Sequence, residues 1–154
     1  INYKNNISLN NDYKKKCKLA RLYLDNLVQL KKDNLGYIPG TKIIDNKLEF
    51  FIQTSFNQIP FITNNPDKLI NYLQDKNFDI ARQNLLDLNS LEIYSKYKIN
   101  NLPIVKDLAS KVILLPCYPE CDPKYIKHLL KEILREIGEC KGKTFLCVGM
   151  MVCA

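Results

Sequence analysis

From Tyr13 onward, apolar residues recur at helical spacing. Tyr13, Cys17, Ala20, Leu24, Leu27 and Val28 share one stripe, while Lys14, Lys15, Lys18, Asp25 and Lys32 occupy the other faces. Asn10-Asn11 supply an N-cap, so the pattern predicts a helix over roughly the next twenty residues. Gly36 and Pro39-Gly40 then break the periodicity into a loop. Two runs rich in Phe and Ile, Leu48–Gln53 and Phe56–Thr63, predict strands, and Pro60 inside the second marks an edge strand or a bulge.

Asn65-Pro66-Asp67-Lys68 is a helix start: Asn65 caps, Pro66 takes the first helical position and Asp67 places negative charge in the first turn. The helix is expected to reach about Lys76 and to bury Leu69, Ile70, Tyr72 and Leu73. Phe78–Gln83 predicts a short strand. Residues 84–101 are polar and irregular, with one helical segment in Ser90–Tyr97, and Pro103 opens a short helix to about Ser110. Val112–Leu115 has no alternating polar residue and predicts a buried strand. Pro116 and Pro119 stiffen its exit, because each proline fixes its own backbone and pushes the preceding residue extended. Asp122-Pro123 repeats the cap-then-proline device. The helix that follows turns Tyr125 or Ile126, Leu129, Leu130, Ile133, Leu134 and Ile137 inward, and Gly138 is placed to end it. Strands and helices in this order predict an α/β (α+β) fold: a small sheet with helices packed mainly on one face.

At 154 residues the chain suits a single domain with a real core. The net charge of +7 raises a nucleic-acid partner. The lysines are dispersed, however, apart from Lys14-Lys15-Lys16-Cys17-Lys18 on the polar side of the first helix, and arginine is nearly absent, so a solvated basic face accounts for the charge. The N-terminus is polar, with no secretory signal pattern, and no run approaches the ~18 apolar residues of a membrane span. No nucleic-acid or membrane partner is expected, and the expected compartment is cytoplasmic. Opening on Ile rather than Met fits a piece of a longer protein.

The six cysteines, Cys17, Cys117, Cys121, Cys140, Cys147 and Cys153, are expected to be free thiols in a reducing compartment. Cys117, Cys121, His128 and Cys140 make an unconvincing zinc set at C-x3-C-x6-H spacing, and the strand–turn–helix already explains the prolines among them, so no metal site is assigned. Phe50, Phe51, Phe56 and Phe61 are expected in the core, and Tyr118 is expected to pack.

The order of pieces resembles a known family. Ala20-Arg21-Leu22-Tyr23-Leu24-Asp25-Asn26-Leu27 is followed by strands and by Asn65-Pro66-Asp67-Lys68-Leu69. Then come Asp79-Ile80-Ala81-Arg82, Asn101-Leu102-Pro103-Ile104-Val105 and Val112-Ile113-Leu114-Leu115-Pro116-Cys117-Tyr118-Pro119. This is similar to the C-terminal portion of the DegT/StrS-type aminotransferases, pyridoxal-phosphate enzymes that act on nucleotide sugars. The resemblance runs over residues 10–138, leaving 1–9 as a leading segment and 139–154 as a tail without a counterpart. It implies the small C-terminal domain of a fold type I aminotransferase, homodimeric when full length. Another domain would carry the cofactor lysine and the carboxylate that pairs with the pyridine nitrogen. The whole enzyme would pass an amino group from glutamate or glutamine to a keto sugar, and this chain alone would be inactive.

No catalytic, cofactor-binding or metal-ligating residue is assigned within the chain. Arg82, Gln83 and Asn84 follow a predicted strand into the irregular stretch, and the resemblance implies that they meet the nucleotide sugar. Where many members of the family carry an aromatic and a histidine, this chain reads Gln83-Asn84-Leu85-Leu86-Asp87, and its one histidine, His128, sits on the last helix. Gly142-Lys143-Thr144 mimics part of a phosphate loop without the preceding glycine or strand. The reading from a different class is a stand-alone, non-catalytic α/β interaction module.

Overall fold

The computed structural model describes residues 3–50, 57–82, 91–97 and 103–139. In chain order these form α1 (Tyr3–Lys32), β1 (Gly36–Tyr37), β2 (Thr41–Ile44), β3 (Lys47–Phe50), β4 (Gln58–Thr63), α2 (Pro66–Asp75) and β5 (Ala81–Arg82). A short 3-10 helix (Glu92–Tyr97), α3 (Pro103–Lys111), β6 (Val112–Pro116) and α4 (Pro123–Glu139) follow. Residues 51–56, where one predicted strand run ends and the next begins, and the tail 140–154 lie outside the described residues, and with them Phe51, Phe56, Cys140, Cys147 and Cys153.

The main sheet is antiparallel, in the order β1-β4-β6-β5. At its centre, β4 and β6 pair with Ile59 opposite Leu115 and Phe61 opposite Ile113, and all four side chains are fully buried. Successive residues of a strand face opposite sides, so these four form one apolar face. Leu19, Ala20, Tyr23, Leu24, Leu27 and Leu30 of α1 join that face in a single core. Leu69, Ile70 and Leu73 of α2 and Ile126, Leu129, Leu130, Ile133 and Ile137 of α4 complete it. The fold is a small α+β domain with α1, α2 and α4 gathered on one face of the sheet, in line with a pattern that predicts helices mainly on one face.

Local chemistry explains the joints. Both α1 and α2 end in an asparagine with left-handed backbone, Asn34 (φ 54°) and Asn77 (φ 63°). The residue after each donates its N–H back five positions, Leu35 to the Leu30 carbonyl at 2.9 Å and Phe78 to the Leu73 carbonyl at 3.0 Å. This is the Schellman stop, with asparagine where glycine is commoner. The β2–β3 hairpin turns on Asp45-Asn46, both at positive φ (46° and 63°), the two-residue turn whose twist matches antiparallel strands. A Cβ at Gly36 would collide with the Phe61 ring, so only glycine lets β1 lie against β4 there.

Several local expectations change. α1 runs through Asn10 and Asn11 rather than starting at them, and its buried face is rotated from the predicted stripe. Leu19, Tyr23 and Leu30 are buried, whereas Tyr13 is exposed. Pro60 lies in an interior strand, but beyond the two positions where β1 pairs with β4, so its missing N–H falls where that neighbour has ended. Asn65 makes no side-chain cap bond; its carbonyl instead accepts the Leu69 N–H at 3.2 Å. Asp122 does cap, its carboxylate accepting the Lys124 N–H at 2.8 Å. Gly138 does not end α4: it is buried inside the helix and stays out of the left-handed region that a glycine stop requires. The strand predicted from Phe78 begins only at Ala81, because Asn77 and Phe78 are used in the α2 stop. Tyr72 is half-buried rather than buried.

One buried polar contact ties α1 to the end of β6. Tyr23 is fully buried, and its hydroxyl donates to the Pro116 carbonyl at 2.8 Å. Burial drives the phenol's pKa well above its ordinary value, keeping it a neutral donor. Replacing Tyr23 with Phe is expected to lower stability by ~1–2 kcal/mol, read as a shift in the urea midpoint at unchanged slope.

A second polar cluster joins α2 to α4. The Tyr72 hydroxyl donates to Glu132 at 2.7 Å, with Lys76 at 3.5 Å and His128 at 3.8 Å from the same carboxylate. The Tyr72 bond, opposed by burial and helped by Lys76 and Arg135, holds the Glu132 pKa below its ordinary 4.5. A carboxylate with a depressed folded pKa adds stability that is fully present above 4.5 and fades as pH falls through the lower folded value. The gap in unfolding free energy between the native chain and Tyr72→Phe should therefore be widest near neutral pH and narrow in that acid range. Urea titrations at a series of pH values check this; a gap independent of pH would remove Glu132 from the account.

Candidate functional site

The sequence points to the outer edge of the sheet at β5. Its backbone is held there by antiparallel pairing, Ala81 opposite Leu114 and Arg82 opposite Ile113. The approach to the strand is fastened from below. The Asp79 N–H donates to the Tyr125 hydroxyl at 3.1 Å, and the Gln74 side chain donates to the Ile80 carbonyl at 3.0 Å. The Phe78 ring packs against Tyr125 and His128, with centroids 5.5 and 5.1 Å away. Arg82 is thus the last described residue of an edge strand whose lead-in is anchored on α2 and α4. Gln83 and Asn84 lie outside the described residues.

In the turn between β6 and α4 both cysteines face inward. Cys117 is fully buried and its thiol lies 3.5 Å from the Lys16 carbonyl. Burial first, then neighbouring Cys121, pushes its pKa up to about 12, against the thiolate form that a nucleophile or a metal ligand needs. Cys121 is buried too, and its N–H closes the turn onto the Tyr118 carbonyl at 3.0 Å. The Tyr118 phenol, hydrogen-bonded with Cys121, is pushed up to about 12. Tyr118 is exposed rather than packed, because the turn carries it outward while both cysteines turn in. His128 leans edge-on against Phe78, on the helix rather than in a cluster of ligands. Among the described residues no three His, Cys, Asp or Glu side chains gather as a metal site would require.

Sequence reasoning missed a feature at the opposite edge of the sheet. Where α1 ends and the chain passes through β1 into the β2–β3 hairpin, a groove of about 600 Å³ opens. Lys31, Lys32, Tyr37, Thr41, Ile43 and Ile62 are among the residues that line it. Lys31 donates to the carbonyl and the hydroxyl of Thr41, the latter at 3.0 Å, and the Thr41 hydroxyl donates to the Ile38 carbonyl at 2.6 Å. Burial lowers the Lys31 pKa. Lys32 donates to the Asn46 side chain at 3.1 Å. A smaller cavity of about 210 Å³ adjoins, lined by Thr63, Asn64 and the ion pair of Lys68 with Glu136 at 2.8 Å. In the sequence Lys31-Lys32 reads as ordinary helix-end charge, favourable to the helix dipole, and nothing shows that the following loop folds back over it.

No helix among the described residues is long and apolar enough to cross a membrane. No family model and no curated protein matches the chain. Among solved structures, the chain is similar in fold to a DegT/DnrJ/EryC1/StrS aminotransferase from Brucella abortus, with a TM-score of 0.63 at 19% identity. That likeness covers 82% of this chain and 31% of the other, so the chain spans about a third of that aminotransferase, and at this identity the shared property is the fold.

Proposed function

We propose that this chain serves as the C-terminal small domain of a pyridoxal-phosphate-dependent aminotransferase acting on a nucleotide-linked keto sugar. The observation that carries the reading is the extent of the fold likeness: most of this chain, and about a third of the aminotransferase. That proportion suits one domain of a larger enzyme, in line with the motif order from Ala20 to Pro119. In this reading the leading segment 1–9 and the tail 139–154 flank the domain. The working enzyme is a cytoplasmic homodimer, and a second domain carries the cofactor site.

The described residues do not themselves fit pyridoxal phosphate. Lys31, the lysine whose charge burial disfavours, is bonded to Thr41, and no acid lines its groove to pair with a pyridine nitrogen. The contribution of this chain is to binding and orientation. Arg82, at the rim of β5, would meet a substrate phosphate by a charge-assisted hydrogen bond, with Gln83 and Asn84 supplying further polar contacts.

Two outcomes follow. Mixed with pyridoxal phosphate, this chain alone should give no stoichiometric adduct that survives gel filtration and is trapped on one lysine by borohydride; such an adduct would overturn the two-domain reading. In the complete polypeptide, Arg82→Ala should weaken nucleotide-sugar affinity roughly ten- to a hundred-fold, the loss of ~1.5–3 kcal/mol, with folding preserved by circular dichroism. An unchanged Michaelis constant and turnover would make Arg82 an ordinary surface residue.

A further inference from the structure

Between the α2 stop and β5 the chain is tied by a short run of bonds. The Phe78 N–H donates to the Leu73 carbonyl, the Ile80 N–H to the Phe78 carbonyl and the Gln74 side chain to the Ile80 carbonyl, each at 3.0 Å. Every one of these partners belongs to α2 or to the lead-in itself. The Asp79 N–H differs: its acceptor at 3.1 Å is the Tyr125 hydroxyl, 46 positions further along the chain in α4. That bond fastens the lead-in to a second helix.

Tyr125 makes a fixed post. It sits in the first turn of α4, where Pro123 opens the helix and the Asp122 carboxylate accepts the Lys124 N–H at 2.8 Å. Its neighbour Ile126 is fully buried. The buried Phe78 ring packs against Tyr125 at 5.5 Å and against His128 at 5.1 Å. Packing therefore holds the ring of Tyr125, while its hydroxyl reaches the backbone before β5. The strand needs such a post because it is short. Ala81 and Arg82 pair with Leu114 and Ile113, and two residues of ladder specify register weakly. A slip of one residue would turn Arg82 to the other face of the sheet.

We infer, on the reading that the β5 edge meets the nucleotide sugar, that Tyr125 is a positioning residue for that edge. By holding the Asp79 N–H, its hydroxyl fixes where Arg82 stands. The effect runs through the backbone and needs no contact between Tyr125 and substrate.

Tyr125→Phe tests this, because it keeps the ring and its packing and removes the hydroxyl. In the 15N-labelled chain, amide hydrogen exchange at Asp79 should speed up about tenfold, well beyond any change at the β4–β6 amides, which report that the fold is kept. In the complete polypeptide the same substitution should raise the KM for the nucleotide sugar about three- to tenfold and leave kcat unchanged. Made on top of Arg82→Ala it should add little, because both changes act on one contact. Unchanged exchange at Asp79, an unchanged KM beside a responsive Arg82→Ala, or additive effects in the double variant would each overturn the positioning role and leave the proposed function standing. A complete polypeptide without nucleotide-sugar activity, or with an inert Arg82→Ala, marks a failure of the proposed substrate edge, and the positioning role falls with it.

Discussion

Everything in this fold hangs on the antiparallel pairing of β4 with β6. Those strands are separated by about fifty residues of chain, and closing so long a loop brings no return until Ile59, Phe61, Ile113 and Leu115 meet on one face. Once they do, the pair offers a single apolar surface on which α1, α2 and α4 each lay one stripe. The remaining strands are dependents of this pair. β1 adds two residues to β4 where Gly36 leaves room for the Phe61 ring, and β5 adds two to β6.

Short outer strands give the two edges of the sheet different uses. The β5 edge is reached by a chain pinned through Phe78, Asp79 and Ile80 to α2 and α4, so whatever follows Arg82 starts from a rigid base. At the β1 edge the chain leaves the sheet after Tyr37, folds a hairpin, and is drawn back by Lys31 to Thr41. That return leaves a groove lined by Lys31 and Lys32 at the end of α1. A rigid scaffold carrying irregular segments at its rims is the usual arrangement for binding, because irregular backbone needs solvent or ligand to satisfy it.

The proline-and-cysteine stretch after β6 acts through packing. Val112–Pro116 buries its side chains on both faces, the Pro116 carbonyl receives the Tyr23 hydroxyl, and Asp122 caps α4. Cys117 and Cys121 fill the inside of the turn, where burial holds the Cys117 thiol protonated. The same burial that makes Cys117 a good core residue works against the thiolate that a ligand or nucleophile needs.

The pattern of residues by itself determined the kinds of elements and their order. Periodicity is a local property, so the helices from Pro66, Pro103 and Pro123 and the strands around Phe61 and Ile113 are legible without a fold. Proline after Asn65 or Asp122 marks a helix start because it restricts the same dihedral in any context. Other features waited for tertiary structure. Which face of α1 is buried depends on where the sheet lies, and so Tyr23 rather than Tyr13 faces inward. Gly138 is a stop only where the chain needs a left-handed residue, and α4 continues past it. Arg82 was legible as a candidate from its place after a strand. Lys31, Lys32, Tyr37 and Thr41 were not, because a groove is made by a chain returning on itself, and no spacing along the sequence records that return.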